Sequence, residues 1–378
     1  MKIAFLVSSM HAGGAERVAA TLANAWSARG EVVTLVPTYT KKGSCFYPVS
    51  DRVELVWLAD RIKRLHVPGP AGFKKWFTLR RLIREKNPDL IVSFLTNVNV
   101  VALLSTRGLG IPIIVCERSN PAFSRNVGWV LRLLRKITYR FADLVTVQAE
   151  ASVAPFKRMM PGIERLAVIA NPVPPELFDA RLAACVPDAN GRFRLAAMGR
   201  LVPAKQFDLL IDAFSAIAAQ RPEWDLTIWG EGPMRDALQR QIDAAGLASR
   251  VDLPGRTDTP WRHLAQAHAF ALTSRVEGFP NVLLEAMAIG LPCLALDCPS
   301  GPREMTRNGE DALLVPLADQ QALKQGLDRL LGDAALRRIL ADCGSQSVRK
   351  RYGLAAVLDS WDRLMEQAGI LHEERKGA

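Results

Sequence analysis

The sequence has few residues that hold metals or form disulfides, and it has no long apolar segment. Its six cysteines are scattered without a Cys-x-x-Cys pair, which argues against a zinc site or a disulfide framework and predicts buried free thiols. Its five histidines show no ligand spacing. No apolar run approaches the ~20 residues of a membrane-spanning helix. The apolar start, residues 2–7, is short and runs into a glycine-rich loop, so we interpret it as a first strand and expect a cytoplasmic protein.

Positive charge, by contrast, is in excess and lies in the first half. The 378 residues carry a net charge of +11 and are 49% hydrophobic, which is typical of a globular chain long enough for two domains. Residues 1–171 hold 25 Lys and Arg against 11 Asp and Glu, a net of +14, whereas residues 172–378 hold 24 against 27, a net of −3. The basic half predicts an anionic partner: nucleic acid, an anionic membrane surface or a phosphate-bearing acceptor.

Strand-like and helix-like segments alternate along the chain. Strands are predicted at residues 2–7, 32–36, 53–58, 89–94, 111–116, 143–147 and 166–169, and then at 194–198, 225–229, 251–253, 270–273, 292–296 and 312–315. Helices are predicted between most of them, for example at 15–27, 73–85, 127–141, 149–159, 207–219, 234–245, 282–289 and 320–331. Near-continuous apolar strands separated by helices predict an α/β fold with parallel sheets covered on both faces.

The alternation breaks once, at Asn171-Pro172-Val173-Pro174-Pro175, which cannot form regular structure. We therefore predict two Rossmann-like domains, 1–171 and 192–378, joined by a linker at 172–191. The end, from about 335 to 368, is predicted to be helical, with the terminal helix packing back on the first domain. Ligands of such sheets bind at the carboxyl ends of the strands.

The most informative segment is Glu277-Gly278-Phe279-Pro280-Asn281-Val282-Leu283-Leu284-Glu285. It follows a strand-like run and enters an apolar helix pattern, so the N–H groups of the helix N-terminus are expected to be open to an anion. Glu277 would stand at the mouth of the loop. Glu285 would lie deeper and could accept hydrogen bonds from paired hydroxyls such as a ribose diol. A sugar nucleotide requires these three features.

A second segment, Gly199-Arg200-Leu201-Val202-Pro203-Ala204-Lys205, follows the first strand of the second domain. Arg200 and Lys205 suit a diphosphate, because two cations can neutralise the leaving group as a glycosidic bond breaks. Cations in this role would replace a divalent metal, and no Asp-x-Asp lies near a sugar site. We therefore expect metal-independent transfer and no cofactor.

These motifs resemble the retaining glycosyltransferases of family four, which have a GT-B fold with two Rossmann-like domains facing each other across a cleft. Further support comes from Gly13-Gly14-Ala15-Glu16-Arg17, and from residues 300–305 and 308–316, where Ala312 replaces the usual glycine. The resemblance implies that Arg200, Lys205 and Glu277 are catalytic. It also implies a donor-binding set, namely Gly14, Arg256, Phe279, Pro280, Asn281, Val282, Glu285 and Glu304.

The segment Cys116-Glu117-Arg118 departs from the family pattern. Many members have a His hereabouts that contacts the donor sugar, whereas this chain resembles members that act on lipid-linked acceptors. We predict that Glu117 and Arg118 lie on the acceptor side. The alternative is a structural ion pair.

Two basic segments, 73–84 and 127–141, carry aromatic residues and could meet a membrane. On a helical wheel of 127–141, Val130, Leu133, Leu134, Ile137 and Phe141 share one face, and Arg132, Arg135, Lys136 and Arg140 share the other. The excess of positive charge favours contact with an anionic membrane surface over core-packed helices with solvated basic faces. We find no nucleic-acid-binding motif and expect no nucleic-acid partner.

The resemblance implies a retaining glycosyltransferase that moves a hexose or N-acetylhexosamine from a nucleotide sugar, UDP-linked by expectation. The acceptor would be lipid-linked or a lipopolysaccharide, met by a peripheral protein on the inner face of the cell membrane during polysaccharide biosynthesis. Two alternatives stay open: a sugar-nucleotide epimerase of GT-B fold, and a non-catalytic scaffold that binds sugar nucleotides.

Overall fold

The computed structural model describes residues 1–11, 13–40, 43, 45–65, 69–118, 128–179, 187 and 191–370. Within it the chain forms two compact units. The first is Met1–Pro172 together with the chain from Val357, and the second is Val173–Ala356. Of the predicted linker, residues 180–186 and 188–190 lie outside the described residues.

The first unit contains a seven-stranded parallel sheet in the order β3-β2-β1-β4-β5-β6-β7. Its strands are β1 (Lys2–Val7), β2 (Val32–Pro37), β3 (Glu54–Leu55), β4 (Leu90–Phe94), β5 (Ile113–Cys116), β6 (Leu144–Val147) and β7 (Leu166–Val168). The central strands are buried along most of their length, as expected of a sheet covered on both faces.

The strand predicted at 53–58 is wrong in extent. Only Glu54 and Leu55 pair, at the edge of the sheet against Thr34 and Leu35 of β2. A helix already begins at Leu58. Its sequence, Leu-Ala-Asp-Arg-Ile-Lys-Arg-Leu, has helical rather than alternating spacing of apolar residues, so helix formation ends the strand early.

Six helices of the first unit lie within the described part of residues 1–172. They are α1 (Gly14–Ala28), α2 (Leu58–Leu65), α3 (Ala71–Lys86), α4 (Thr96–Thr106), α5 (Trp129–Thr138) and α6 (Val153–Met159). Helix α4 contacts both α3 and α5, so these three helices are neighbours.

The second unit contains a six-stranded parallel sheet in the order β10-β9-β8-β11-β12-β13. Its strands are β8 (Phe193–Met198), β9 (Trp224–Trp229), β10 (Val251–Gly255), β11 (Ala269–Leu272), β12 (Cys293–Leu296) and β13 (Leu313–Val315). The remaining helices are α7 (Phe207–Ser215), α8 (Arg235–Ala244), α9 (Pro260–Ala265), α10 (Asn281–Ile289), α11 (Pro302–Met305), α12 (Gln320–Gly332), α13 (Ala334–Tyr352) and α14 (Leu354–Gln367).

The last helix, α14, ends in the first unit, where it packs on α1. The ring of Trp361 meets that of Trp26 edge to face, with centroids 5.4 Å apart. Arg29 pairs with Asp362 at 2.8 Å. The helical end predicted from the sequence is therefore two helices, α13 and α14, broken at Gly353.

Helix α5 turns much of its apolar face outward. Trp129 is 77% exposed, Val130 48% and Leu133 50%, whereas Arg135 is 3% exposed. The assignment of Arg135 to the solvated face is therefore wrong. It is buried because its guanidinium faces Glu117, at 3.7 Å. Two further exposed aromatic side chains, Phe73 and Phe77, lie on α3, and exposed Leu104 lies on α4.

Candidate active site

The two segments predicted to bind the diphosphate leave the second sheet at neighbouring strands. β8 and β11 are adjacent, and the strand order reverses between them. In open parallel sheets, the crevice beyond the carboxyl ends of the strands at such a reversal is the usual ligand site. Residues 199–205 follow β8 and residues 273–280 follow β11, so both segments reach this crevice.

An ion pair joins the two segments. Lys205 Nζ lies 2.6 Å from Glu277 Oε1, and the hydroxyl of Ser274 donates to the same oxygen at 2.6 Å. Thr273 Oγ1 donates to the Lys205 carbonyl at 3.0 Å, and Arg275 N–H donates to the Ala204 carbonyl. The side chains of Lys205 and Glu277 are 21% and 11% exposed, so a ligand can still reach them. Two residues that are 72 positions apart thus meet at one point.

Arg200 lies beside this pair in sequence but is differently engaged. It is exposed, and its guanidinium makes no hydrogen bond or ion pair with any residue that the structure describes. Its backbone carbonyl accepts from Val202 N–H at 2.8 Å, which fixes the turn that carries it. An exposed guanidinium without a protein partner is available to an anionic ligand.

The loop before α10 is anchored through Phe279 and Pro280. The Phe279 ring is 7% exposed and meets the Tyr352 ring edge to face at 6.2 Å. Pro280 packs on Gly301, where an added Cβ would lie 2.6 Å from Pro280 Cδ. These two side chains therefore hold the loop, and the donor-binding roles predicted for Phe279 and Pro280 stay predictions.

The start of α10 uses part of its own hydrogen-bonding capacity. Asn281 N–H donates to the Phe279 carbonyl at 2.8 Å, and Leu283 N–H donates to the Pro280 carbonyl at 3.0 Å. Val282 is half-buried and lies between them. The predicted roles of Asn281 and Val282 in donor binding stay predictions.

Glu285 lies deeper in α10, as predicted, and is 4% exposed. Its Oε2 accepts the indole N–H of Trp261 at 3.1 Å. Arg256 is exposed and follows Gly255, the last residue of β10. Arg256 follows β10 and Glu285 lies on the helix that follows β11, and β9 and β8 lie between these two strands in the sheet. The donor-binding roles predicted for both residues stay predictions.

Glu304 lies on the short helix α11, which an ionic network centred on the buried Asp311 secures. Arg351 donates to the carbonyls of Glu304 at 2.9 Å and Met305 at 2.6 Å. Arg351 also donates to Asp311, which receives two bonds from Arg307. Burial raises the pKa of Asp311, but hydrogen bonds and positive charges from these arginines outweigh burial and leave the pKa below its ordinary value.

A buried thiol lies close to the ion pair. Burial raises the pKa of Cys298 to about 12, the Glu277 carboxylate adds to that rise, and Lys205 opposes it. The thiolate is therefore scarce at neutral pH, and the side chain acts as a small apolar group. The five described cysteines are unpaired.

In the first unit, the glycine-rich segment begins α1. Gly14 is the first helical residue and is exposed. Glu16, in the first turn, accepts from Ser9 Oγ at 2.8 Å. These contacts define a tight strand-to-helix turn, and the donor-binding role predicted for Gly14 stays a prediction.

Glu117 is embedded in the first unit rather than presented at its surface. It is 2% exposed, accepts from Tyr139 Oη at 2.6 Å and from Thr96 Oγ1 at 2.8 Å, and faces the Arg135 guanidinium at 3.7 Å. Tyr139 also receives the Asn99 amide at 2.9 Å. The geometry favours the structural ion pair over an acceptor contact for this residue.

Arg118 is held by different partners. Its guanidinium lies over the Phe94 ring, 4.0 Å from the centroid, and donates to Asn171. Burial lowers its pKa to about 10, which leaves it protonated at neutral pH. Its acceptor-side role stays a prediction.

Sequence reasoning missed two site residues, Ser274 and Trp261. Ser274 lies three residues before Glu277 at the end of a strand, so its spacing could have indicated it. Trp261 lies 24 residues before Glu285, and no pattern in the sequence links the two.

Among the described residues, no group of three or more His, Cys, Asp and Glu side chains is placed to hold a metal ion. No described helix combines the length and apolar character needed to cross a membrane.

Comparison with known families assigns both halves of the chain. The family described as "Glycosyl transferases group 1" matches residues 187–346, which include the predicted donor segments. The family described as "Glycosyl transferase 4-like domain" matches residues 13–172.

Two relatives from Campylobacter jejuni are similar over most of the chain. One is the GalNAc-alpha-(1->4)-GalNAc-alpha-(1->3)-diNAcBac-PP-undecaprenol alpha-1,4-N-acetyl-D-galactosaminyltransferase, 27% identical over 97% of this chain and 99% of its own. The other is the N-acetylgalactosamine-N,N'-diacetylbacillosaminyl-diphospho-undecaprenol 4-alpha-N-acetylgalactosaminyltransferase, 26% identical over 89% of this chain and 92% of its own.

A solved structure supports the fold. Anabaena HepE, crystallised with UDP, superimposes with a TM-score of 0.78 over 97% of this chain and 100% of its own, at 21% identity. The two parallel-sheet units and both family matches agree with this superposition. The chain therefore belongs to the family-four type of glycosyltransferases and has the GT-B fold.

Proposed function

We propose that this protein is a retaining, metal-independent glycosyltransferase that moves a hexose or N-acetylhexosamine from a UDP-sugar. The acceptor is a lipid-linked glycan or a lipopolysaccharide at the cytoplasmic face of the membrane. The observation that carries the proposal is the meeting of Lys205 and Glu277 at the β8–β11 crevice, with Arg200 on the same loop. The names of the two Campylobacter relatives support the acceptor class, and the UDP complex of HepE supports the nucleotide.

Arg200 and Lys205 stabilise the leaving group. As the bond between the sugar C1 and the diphosphate oxygen breaks, negative charge grows on the diphosphate. Two fixed cations lower the energy of that charge in a partly dehydrated crevice. They supply the neutralisation for which other transferases use a divalent ion, so chelation is expected to leave the rate unchanged.

Glu277 binds hydroxyls of the donor sugar. Both its recorded bonds, from Lys205 and Ser274, go to Oε1. No described residue donates to Oε2, which leaves this oxygen to accept sugar hydroxyls. Glu285 binds the ribose hydroxyls.

The stereochemistry follows from the linkage. Both relatives are named for α-linked products. If the donor here is also α-linked, transfer to an α product retains configuration. The acceptor hydroxyl attacks on the face from which the diphosphate leaves, and we assign no side chain as nucleophile or general base.

Helices α3, α4 and α5 bring the first unit to the membrane. Their exposed apolar side chains include Trp129 and Leu133 on α5 and Phe73 on α3. Exposed Arg132 and Lys136 lie beside them on α5. Aromatic and apolar side chains among basic residues suit the interface of an anionic bilayer, and the net charge of +14 over residues 1–171 adds to the attraction.

The proposal is tested by transfer and hydrolysis assays with purified protein. UDP-, GDP- and ADP-sugars are supplied with and without EDTA and membrane lipid extract. We expect release of one nucleoside diphosphate that depends on lipid and is indifferent to EDTA. Loss of activity in EDTA, restored by a divalent ion, would contradict metal independence.

Two outcomes point to the alternatives. Conversion of the sugar nucleotide to an isomer without any acceptor would identify an epimerase. Binding of UDP without turnover of any donor would identify a non-catalytic scaffold. NMR of the product linkage decides between retention and inversion.

A further inference from the structure

Glu285 is a carboxylate inside an apolar helix. It is 4% exposed, and its helical neighbours Leu284 and Ala286 are buried. A carboxylate in such surroundings is costly unless hydrogen-bond donors hold it. The donors that hold it also decide where its remaining lone pairs point.

One of these donors is the indole of Trp261. Nε1 of Trp261 lies 3.1 Å from Glu285 Oε2. An indole N–H only donates, and its ring is rigid, so it fixes one oxygen in one direction. A carboxylate offers about four lone-pair sites, and this bond occupies one of them.

The helix that carries Trp261 is held in place by its own contacts. Trp261 lies on α9, where the ring of His263 stacks on Trp229 with centroids 5.1 Å apart and an interplanar angle of 28°. Trp229 is the last residue of β9. Thr259 N–H donates to Thr257 Oγ1 at 3.0 Å, which shapes the turn into α9. Helix α9, which carries the indole, is therefore tied to the sheet through His263.

We propose that Trp261 is a positioning residue that orients the Glu285 carboxylate toward the ribose hydroxyls and so sets selectivity for ribonucleotide donors over deoxyribonucleotide donors. This inference rests on the proposed binding of ribose by Glu285. A site built to bond a hydroxyl rejects the analogue that lacks it, because a buried polar group is then left without its partner. Without the indole N–H, the carboxylate turns and that discrimination declines.

The test is calorimetric binding of UDP and 2′-deoxy-UDP to the full chain and its Trp261→Phe variant. Phenylalanine keeps an aromatic ring and removes the N–H. We expect the preference for UDP to fall by about tenfold, the effect of one charge-assisted hydrogen bond, with the affinity for 2′-deoxy-UDP nearly unchanged. A change in packing alone would weaken both ligands equally, and that result would overturn the proposal.

Two comparisons separate the inference from the function on which it rests. Glu285→Gln should lower the same preference, and adding Trp261→Phe to it should cause no further fall. If Glu285→Gln lowers the preference and Trp261→Phe does not, the role of Trp261 is overturned and the proposed function stands. If neither changes it, or UDP does not bind, the ribose role of Glu285 fails, and the role of Trp261 fails with it.

Matched variants guard against loss of the fold. Trp57→Phe makes the same change at a half-buried indole in the first unit, and it should leave the preference intact. If Trp261→Phe does not fold, Trp261→Tyr retains more ring volume without restoring the N–H at its place. The expected and contradicting ratios are the same for that variant.

Discussion

Each of the two units contains an ion pair, but the two pairs serve different purposes. In the second unit, Lys205 and Glu277 form a pair that is still reachable, and Arg200 beside it has no described protein partner. In the first unit, Glu117 and Arg135 form a pair that is almost fully buried and enclosed by hydroxyl donors. An ionic pair therefore indicates a binding site only where its lone pairs and charges are left for a ligand.

The two units also differ in how many large apolar side chains they expose. Six of the exposed large apolar side chains among the described residues lie on α5 or α3, namely Phe73, Phe77, Trp129, Val130, Leu133 and Ile137. In the second unit, Ile339 on α13 is an isolated case among the described residues. Single exposed apolar residues are ordinary, whereas a group on neighbouring helices indicates a contact surface.

The largest expected effect is on stability and comes from the first unit. Glu117→Gln leaves the buried Arg135 charge without its counter-ion, which should lower the free energy of unfolding by about 3–5 kcal/mol. Urea denaturation measures it. Glu164→Gln, at an exposed glutamate of the same unit, should change little.

The activity of Glu117→Gln decides what kind of residue Glu117 is. If it is structural, the folded fraction should keep the acceptor KM of the wild type. A raised acceptor KM with unchanged stability would return Glu117 to the acceptor site.

In the second unit, removal of a charge should harm activity and spare the fold. Lys205→Ala should lower kcat by about 10²–10³-fold, as for loss of one donor to a developing negative charge. Its unfolding free energy should change by no more than about 1 kcal/mol, because the lost ion pair is partly exposed. Steady-state kinetics and urea denaturation are compared with Lys350→Ala, an exposed lysine on α13. Full activity in Lys205→Ala would remove it from the mechanism.

The Asp311 network gives a pH-dependent contribution in the second unit. Because the folded-state pKa of Asp311 lies below its unfolded value, its stabilisation is present above about pH 4 and is lost as the pH falls through the folded pKa. Asp311→Asn should therefore destabilise by about 1.5–3 kcal/mol at pH 7 and less in acid. Thermal unfolding from pH 7 to pH 3 tests this, with Asp342→Asn as the exposed control. A pH-independent difference would contradict it.

The smallest expected effect concerns the membrane surface of the first unit. Leu133→Glu should weaken binding to vesicles containing anionic lipid by about tenfold, because it removes an exposed leucine that is proposed to insert into the bilayer interface and adds a repelled charge. Vesicle sedimentation measures it. Ile339→Glu makes the same kind of change on the second unit and should bind like the wild type. Equal losses in both variants would indicate general charge repulsion instead.

The sequence predicts most of the sheet structure, because continuous apolar runs in a parallel sheet are distinctive. Strands at 194–198, 225–229 and 292–296 agree with β8, β9 and β12 within one residue at each end. The edge strand β3 could not be delimited, since two paired residues carry little pattern and the helical spacing from Leu58 competes with it.

The sequence predicts the site residues that belong to a motif, but it does not predict residues that only tertiary packing brings into the site. Both loops that meet at Lys205 and Glu277 were identified from sequence. The link from Trp261 to Glu285, and the burial of Arg135, depend on which elements pack together. A helical wheel of α5 separates two faces, but it does not say which of them the neighbouring helix covers.

We propose above all that the second unit binds a nucleoside diphosphate through Arg200 and Lys205 without a metal. Calorimetric titration of UDP tests it directly, in EDTA, with the wild type, Arg200→Ala and Arg240→Ala, an exposed arginine on α8. We predict that UDP binds the wild type and Arg240→Ala equally, and that Arg200→Ala weakens binding about tenfold, the effect of one charge-assisted contact. Equal affinity of all three proteins, or no binding until a divalent ion is added, would contradict the account.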